Sequence, residues 1–248
     1  MKLSAIKKLE GKITLKSGLH IGSGNTEMHI GGTDSPVIKH SHTLEPYIPG
    51  SSLKGKVRSL LEMESGLMIF TKGDVVKSET LRDIDGNNGL EAKQKDELKT
   101  KCEEILKIFG SSGADKEDET LFGPTRVSFA DCFLDDAWRQ KARNNRWLLT
   151  EEKSENVINR IKGTAEHPRF IERVPEGTKF NFLVTFKILE NSDETLFNEV
   201  LLKGLKLLEM DALGGSGSRG YGRIVFEFRD KTMNDKFKEL SLFQDSKK

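Results

Sequence analysis

The stretch "KFNFLVTFKI", residues 179–188, carries an apolar side chain at every second position from Phe180 to Ile188. A period of two residues is typical of a strand with one buried face. The segment that follows repeats apolar residues at helical spacing instead: Phe197, Leu201, Leu205 and Leu208. Gly204 lies inside this predicted helix, where glycine costs roughly 1 kcal/mol relative to alanine. A second alternating run, "RIVFEFR" at 223–229, predicts a further strand.

Three elements precede this strand, helix and strand. Residues 11–16, "GKITLK", alternate like a strand, and "RVSFADCFL", 126–134, is apolar on both faces, which predicts a central strand. Between them, Ser51 or Ser52 is a suitable N-cap for a helix with a buried face formed by Leu53, Val57, Leu60 and Leu61. This order of strands and helices predicts a ferredoxin-like α+β fold, an antiparallel sheet with helices on one face.

Two segments interrupt that order. Residues 72–119 are rich in charge and contain "DIDGNNG" and "SSGADKEDE", which look mobile or inserted. Between these clusters we predict a helix that ends at Gly110 and buries Leu98, Cys102, Ile105, Leu106 and Phe109. Residues 150–177 show scattered charges and short apolar alternation, which predicts a projecting hairpin. The charged tail from Lys231 is expected to contribute little to the core.

The composition restricts both partners and chemistry. With 40 basic and 39 acidic residues the formal net charge is +1, so a polyanion would have to be met by a local patch. Cys102 and Cys132 fit neither a disulfide framework nor a zinc site, which indicates a reducing compartment. No signal peptide and no apolar run of about 18 residues is apparent. We therefore expect a cytoplasmic protein with no membrane partner.

Two basic elements are candidate sites for a phosphate backbone. "GGSGSRGYGR", 214–223, combines five glycines with Arg219 and Arg223 and has no acidic residue, so its N–H groups can approach a phosphate closely. It does not match the motif of nucleoside triphosphate sites, and a flexible linker is the alternative interpretation. "PGSSLKGKVRS", 49–59, would place a basic flank beside a helix N-terminus, although an ordinary solvated helix face is equally compatible.

A third candidate is the loop "IGGTDSP", 30–36, in which Gly31, Gly32 and Pro36 shape the chain around Asp34. An isolated aspartate in such a loop is usually only a turn former. The histidines of the surrounding region match no zinc template: His20, His29, His40 and His42. His20 directly follows the first strand, where it could stack on a base or bond a phosphate.

Five segments in this order carry a family resemblance: "GLHIGSG", "IGGTDSPVIK", "PYIPGSSLKGKVRSLLE", "ERVPEGTKF" and "LGGSGSRGYGR". With them the sequence resembles the repeated backbone subunits of type III-A (Csm) CRISPR effector complexes, in the RAMP superfamily; the Cmr backbone is the nearest competitor. The resemblance implies one domain over residues 1–248. It would comprise an RRM-like palm (1–70, 120–149 and 176–230), an inserted finger or lid (71–119), a thumb β-hairpin (150–175) and a charged tail (231–248).

The resemblance also implies roles for individual residues. Asp34 occupies the position of the catalytic aspartate. Contacts to the CRISPR RNA carry over to His20, Ser51, Ser52, Lys54, Lys56, Arg58, Gly214, Gly215, Ser216, Gly217, Ser218, Arg219, Gly220, Tyr221 and Arg223. Copies of such a subunit would polymerise along the CRISPR RNA with other Csm subunits, and the thumb would flip out a nucleotide of the guide–target duplex at regular intervals. The "INR" at 158–160, in the thumb, departs from the IDR that is frequent in the family.

Cleavage of the target RNA would proceed by in-line attack of a 2′-OH on the adjacent phosphorus. Asp34 could take the proton or hold a divalent metal, Mg²⁺ or Mn²⁺. We favour the metal, because an exposed aspartate with a pKa near ~3.9 is a weak base. Two other functions stay open: a non-catalytic RNA-binding scaffold with Asp34 only in a turn, and an isolated nuclease that processes the guide.

Overall fold

Strands form two separate antiparallel sheets in the computed structural model, which describes residues 1–24, 35–111 and 122–243. The larger sheet has the order β2-β5-β1-β6, and β3 and β4 form a separate hairpin. The strands are β1 (Ala5–Leu15), β2 (Val127–Phe129), β3 (Glu151–Ile158), β4 (Ala165–Arg173), β5 (Lys179–Ile188) and β6 (Ile224–Phe228). This order is that of a ferredoxin-like α+β fold, as predicted.

Strand β5 is central to the sheet because it pairs with β2 on one side and β1 on the other. The pairing with β1 runs from Ala5 opposite Ile188 to Thr14 opposite Lys179, and β6 pairs with β1 only over Gly11–Leu15. Every second residue of β5 from Phe180 onward is buried. The alternation in the sequence therefore predicted this strand correctly.

The prediction of a central strand at 126–134 was wrong. β2 has three residues and lies at the edge of the sheet. Beyond it, Cys132 exchanges two backbone hydrogen bonds with Ile48, at 2.8 and 3.0 Å, so the chain pairs with a loop there. Strand β5 flanks the segment on one side as far as Leu134, opposite Phe180, whereas on the other side the chain meets this loop and not a strand, with α1 packed against β2.

The helices within the described residues connect the strands and fill the insertion. They are α1 (Gly50–Glu64), α2 (Met68–Thr71), α3 (Glu79–Gly86), α4 (Ala92–Phe109), α5 (Asp136–Asn144), α6 (Asp193–Thr195), a π-helical segment (Leu196–Leu201), α7 (Leu202–Met210), a 3₁₀ turn (Gly217–Arg219) and α8 (Lys231–Glu239). α4 ends at Gly110, with a φ of 86°, as predicted. Most of "SSGADKEDE" lies outside the described residues.

Helix α1 begins two or three residues earlier than predicted and is not capped by Ser51 or Ser52. Pro49 is its N-cap residue, in an extended conformation without a side-chain cap. The first N–H group, that of Gly50, donates to Asp131 Oδ1 at 2.7 Å. An aspartate distant in the sequence thus replaces the local serine cap, which no local pattern could reveal.

Packing between two helices explains why glycine occupies position 204. A Cβ atom at this position would lie 2.7 Å from Val57 Cγ1 and 2.9 Å from Leu61 Cδ1. Glycine therefore allows α7 and α1 to approach closely over the inner face of the sheet. The propensity penalty noted in the sequence is offset by this contact.

The C-terminal segment contributes more to the core than predicted. Phe237 of α8 is 1% exposed, and its ring lies edge-on to Phe226 and Phe228, with centroids 6.1 and 4.9 Å apart. Met233, Phe237 and Leu240 lie at helical spacing, but three apolar residues in a charged segment give only a weak periodic signal, which explains the error. No helix in the described ranges is long and apolar enough to cross a membrane.

Candidate nucleic-acid interface

The glycine loop, residues 213–223, lies along the chain that leaves β1. Gly222 donates to Gly18 O at 2.9 Å, and Gly215 donates to His20 O at 2.9 Å. Gly214 has a φ of 77°, and a Cβ atom there would lie 2.3 Å from His20 O. The glycines thus allow a close backbone approach and a left-handed turn. These fixed contacts exclude the flexible-linker interpretation.

The segment that follows Asp34 is bound to the same region. Ser35 O accepts from the N–H of Glu172 on β4 at 3.1 Å. Ile38 donates to Ile21 O at 2.8 Å, and Ser23 donates to Pro36 O at 3.2 Å. Gly24 and Ser35 are the described residues on either side of positions 25–34, and the chain on both sides belongs to one hydrogen-bonded region. Residues 30–34 of the predicted loop, which include Gly31, Gly32 and Asp34, lie outside the described residues.

His20 is held at the junction of these segments. Its Nδ1 lies 2.7 Å from Glu172 O, and its Nε2 lies 3.3 Å from Ser35 Oγ. A carbonyl oxygen only accepts, so Nδ1 carries a proton, and in the neutral ring Nε2 accepts from the serine hydroxyl. The imidazole thus links β4 to the residue that follows Asp34 in the sequence.

Glu172 is a site residue that the sequence analysis did not identify. It is 7% exposed; Oε2 accepts from Val37 N at 2.9 Å and Oε1 from Lys39 Nζ at 2.6 Å. Burial favours a raised pKa, but the hydrogen bonds from Lys39, Thr150 and Val37 outweigh it, so the pKa of Glu172 is lowered. The carboxylate is therefore charged and fixes residues 37–39 against the hairpin. Only its position in "ERVPEGTKF" marked it in the sequence.

Several predicted cations form ion pairs in the folded chain. Arg219 Nε lies 2.8 Å from Glu155 Oε2, and Lys56 Nζ lies 2.7 Å from Asp211 Oδ2. The basic elements have no acidic residue in the local sequence, but distant parts of the chain supply one. Lys56 nevertheless brings α1 next to the chain that enters the glycine loop.

Arg58 has an internal role. Its Nε donates to Glu62 Oε1 at 2.7 Å, and its other nitrogens donate to Gly110 O at 3.1 Å and Val76 O at 2.6 Å. The side chain is 14% exposed. Arg58 therefore ties α1 to the inserted segment and does not present a free guanidinium group to a guide.

Lys54 and Arg223 are the predicted cations without an ion pair among residues 1–24, 35–111 and 122–243. Partial burial, and secondarily the charge of Arg58, lowers the pKa of Lys54. A desolvated ammonium group without a counter-ion gains from a phosphate. Ser51 is exposed and Ser52 half-buried in the first turn beside it. The exposed part of the glycine loop comprises Gly214, Gly215, Gly217, Ser218, Arg219 and Gly220, with Ser216 half-buried.

Tyr221 anchors the glycine loop to the hairpin instead of facing solvent. It is 0% exposed, and its hydroxyl donates to Glu155 Oε1 at 2.9 Å. Lys153 Nζ and the Arg173 guanidinium carbon lie 4.6 and 5.1 Å from the ring centroid. Burial, followed by Glu155, raises the pKa of the phenol. A buried ring cannot stack on an RNA base, so the predicted contact does not involve this side chain.

The hairpin predicted between residues 150 and 175 consists of β3 and β4. Its turn is closed by Asn159, whose Oδ1 accepts from the N–H groups of Ile161 at 3.0 Å and Lys162 at 3.1 Å. Asparagine thus performs a turn role that aspartate also performs. Ile158 and Ile161 are 51% and 97% exposed, so the tip presents apolar side chains.

Within the described ranges no group of three His, Cys, Asp or Glu side chains could hold a metal ion. Glu172 on β4 accepts from Val37 and Lys39, so its carboxylate is already engaged within the protein.

Comparisons with known proteins agree with this architecture. The RAMP superfamily model matches residues 12–225. The "CRISPR system Cms endoribonuclease Csm3" of Methanocaldococcus jannaschii is 40% identical over 235 residues, covering 93% of this chain and 82% of the relative. The protein of the same name from Enterococcus italicus is 35% identical and covers 88% of each chain.

Solved structures show the same fold. A chain in a crystal structure of a Csm3–Csm4 subcomplex of the type III-A CRISPR-Cas interference complex is 31% identical, with a TM-score of 0.53 over 92% of this chain and 78% of that chain. The Methanopyrus kandleri Csm3 crystal structure is 23% identical and shows the fold alone, with a TM-score of 0.55 over 90% of this chain and 75% of that chain.

Proposed function

Because the chain belongs to the RAMP superfamily and, within it, to the family of Csm3 endoribonucleases, we propose that it is the repeated backbone subunit of a type III-A CRISPR ribonucleoprotein. In this role it binds the CRISPR RNA and cleaves complementary target RNA. Further copies of the chain and other Csm subunits are its proposed protein partners, and the cytoplasm remains its expected location.

The observation that carries this proposal is the convergence of three segments. The glycine loop, His20 and the chain that restarts at Ser35 are joined by hydrogen bonds to one another and to the base of the hairpin. A backbone-binding loop, a projecting hairpin and the residue after Asp34 thus share one region. That arrangement suits a protein that holds an RNA and acts on a second strand paired with it.

Guide binding would use backbone and charge. The exposed glycines of the glycine loop can approach phosphates closely, and Lys54 and Arg223 have charges that no carboxylate of the described chain neutralises. None of these groups reads a base edge. Sequence specificity would therefore come from base pairing with the guide.

For cleavage, we propose that Asp34 acts at the phosphodiester and that the hairpin distorts the duplex. An unstacked nucleotide can align its 2′-OH in line with the phosphorus, which a continuous helix resists. The exposed apolar tip, with Ile158 and Ile161, is suited to contact unstacked bases. His20 and Glu172 act as positioning residues, since both bind the segment after Asp34.

Asp34 and substrate phosphate oxygens would hold the proposed Mg²⁺ or Mn²⁺. Such an ion neutralises negative charge that develops on the phosphate. One carboxylate plus phosphates is a common arrangement for Mg²⁺, which keeps several of its waters.

The test is cleavage of a guide-complementary RNA by the assembled complex. With Asp34→Ala we expect guide and target binding to persist and cleavage to fall at least about 100-fold. Asp74→Ala serves as the matched control, because this exposed aspartate lies in the inserted segment and, among the residues that the structure describes, pairs with Lys77 and the adjacent backbone. Chelation should abolish cleavage, and Mg²⁺ or Mn²⁺ should restore it.

The outcomes separate the alternatives. Full cleavage by Asp34→Ala would remove Asp34 from catalysis. Absence of cleavage by the wild-type complex would favour the RNA-binding scaffold. Cleavage that withstands chelation would leave the aspartate in place and eliminate the metal.

A further inference from the structure

A cavity of about 930 Å³ lies between α5, the base of the hairpin and strands β1 and β5. Its lining contains Trp138 and Trp147, which are the two tryptophans of the chain. Trp147 is 48% exposed, and the neighbouring Leu148 is 80% exposed. No residue of the glycine loop lines this cavity. The cavity is thus separate from the interface described above.

Arg146 at the rim occupies a position where glycine is preferred. The N–H of Arg146 donates to Arg143 O at 3.1 Å, and that of Trp147 donates to Ala142 O at 2.9 Å. These two bonds form the Schellman motif that ends α5, and Arg146 is its left-handed residue, with a φ of 55°. An arginine there is conformationally strained. Neither helix termination nor core packing requires this side chain.

The lining has a surplus of positive charge. Two of its acidic residues are neutralised, Asp135 by Lys12 at 2.9 Å and Glu151 by Arg173 at 2.7 Å. Lys179 acts on Asp135 as well, since against the effect of burial its charge helps Lys12 to lower the pKa of that carboxyl. The remaining charged side chains have no ion pair in the described part of the chain: Lys141, Arg146 and Glu176. Two cations against one carboxylate favour an anionic ligand.

Aromatic and cationic groups are adjacent in this cavity. Lys141 Nζ lies 5.4 Å from the centroid of the Trp147 ring. Proteins bind single-stranded nucleic acids by combining such rings, on which bases stack, with cations that follow the phosphates. The half-exposed Trp147, with Lys141 over its ring and Arg146 in the same lining, offers both.

We propose that this cavity binds a segment of single-stranded RNA, with one base stacked on Trp147 and phosphates near Arg146 and Lys141. This site goes beyond the proposed function, because it requires neither Asp34 nor the glycine loop. A protein segment is the other conceivable occupant, but the cationic surplus and the strained arginine beside an exposed ring favour RNA.

The tryptophans supply a local reporter. In the full-length Trp138→Phe variant, Trp147 is the sole tryptophan. We expect its fluorescence to be quenched by an octamer of uridylate, which has no stable secondary structure. Quenching by UMP should require a much higher concentration, because one nucleotide spans fewer cations. No quenching by the octamer, or equal potency of UMP, would overturn the proposal.

Arg146→Gly in the same background distinguishes binding from structure. Glycine suits the left-handed position, so this variant should unfold at a higher denaturant concentration. We nevertheless expect its RNA affinity to fall roughly 3- to 10-fold, with a weaker salt dependence. Arg143→Ala is the matched control, since Arg143 pairs with Glu45 and does not line the cavity. An affinity of Arg146→Gly equal to that of the control would refute the site.

Two further results keep the proposals distinct. Trp147 emission that responds to protein concentration but not to RNA would show that a second copy occupies the cavity, and would overturn the RNA assignment. If cleavage proves independent of Asp34, the proposed role of Asp34 fails, and the result of the quenching experiment is not affected.

Discussion

Replacing Glu172 with glutamine tests whether this buried carboxylate holds the segment after Asp34 in place. The carboxylate accepts from Val37 N at 2.9 Å and Lys39 Nζ at 2.6 Å. Hydrogen bonds to charged groups contribute about 1.5–3 kcal/mol, but the Lys39 side chain is 34% exposed, so solvent weakens its share. Glutamine retains an acceptor oxygen and loses the charge. We expect the free energy of unfolding to fall by about 2 kcal/mol at pH 7.

The sign of the pH dependence follows from the lowered pKa of Glu172. Burial opposes the charged form, and the hydrogen bonds from Lys39, Thr150 and Val37 overcome it. A carboxyl group with a lowered pKa in the folded state stabilises the fold fully above its unfolded pKa, and this contribution is lost as the pH falls through the folded pKa. The difference between wild type and Glu172→Gln should therefore be complete at pH 7 and shrink below the ordinary value of 4.5.

Urea unfolding of the full chain at pH 7 and at acidic pH measures this difference, and cleavage by the assembled complex measures its consequence. Glu151→Gln is the matched control, because Glu151 lies on the adjacent strand and its side chain is 42% exposed where it pairs with Arg173. We expect the control to lose less than about 1 kcal/mol. Equal losses in both variants, or unchanged cleavage by a destabilised Glu172→Gln complex, would refute the positioning role.

Three further predictions concern glycines and Lys54. Gly204→Ala should lower the free energy of unfolding by about 1–3 kcal/mol, because its Cβ would lie 2.7 Å from Val57. Gly55→Ala, whose Cβ would have nothing within 4 Å, should raise it by about 0.5–1 kcal/mol. Urea unfolding of each variant measures both changes. Gly222→Ala should cost at least about 3 kcal/mol by the same measurement, since its φ is 73° and its Cβ would lie 1.9 Å from a backbone oxygen. Guide-RNA affinity, followed by fluorescence anisotropy, should fall as the pH rises through the lowered pKa of Lys54, and Lys54→Met should remove that step. A common pH profile for both proteins would contradict the phosphate contact.

The main elements of the fold were predictable because their signals are local. Alternation over ten residues is enough to define β5, and helical spacing is enough to define the buried faces of α1 and α4. The prediction for residues 126–134 failed since burial on both faces can come from a loop as well as from strands. The error at α8 has a different origin, because a few apolar residues in a charged segment give only a weak period.

The candidate site was predictable only in part. Local composition and position selected the glycine loop and His20, the family resemblance gave Asp34 its role, and the structure joins the first two with Ser35. The basic residues of the local sequence did not reveal which cations are free of ion pairs in the folded chain. Arg58 and Tyr221 are internal, and Lys56 and Arg219 are paired with carboxylates that lie far away in the sequence.

By itself the sequence determined the ferredoxin-like fold, the projecting hairpin and the family, because hydrophobic period and ordered motifs are properties of the chain read in one dimension. Only the tertiary structure decided which charged groups are neutralised, that Glu172 fixes the segment after Asp34, and that Trp147 lies beside Arg146 in a cavity. Hydrogen bonds and ion pairs act over a few ångströms, and their partners here are brought together from distant positions by the packing of the sheet, the helices and the hairpin.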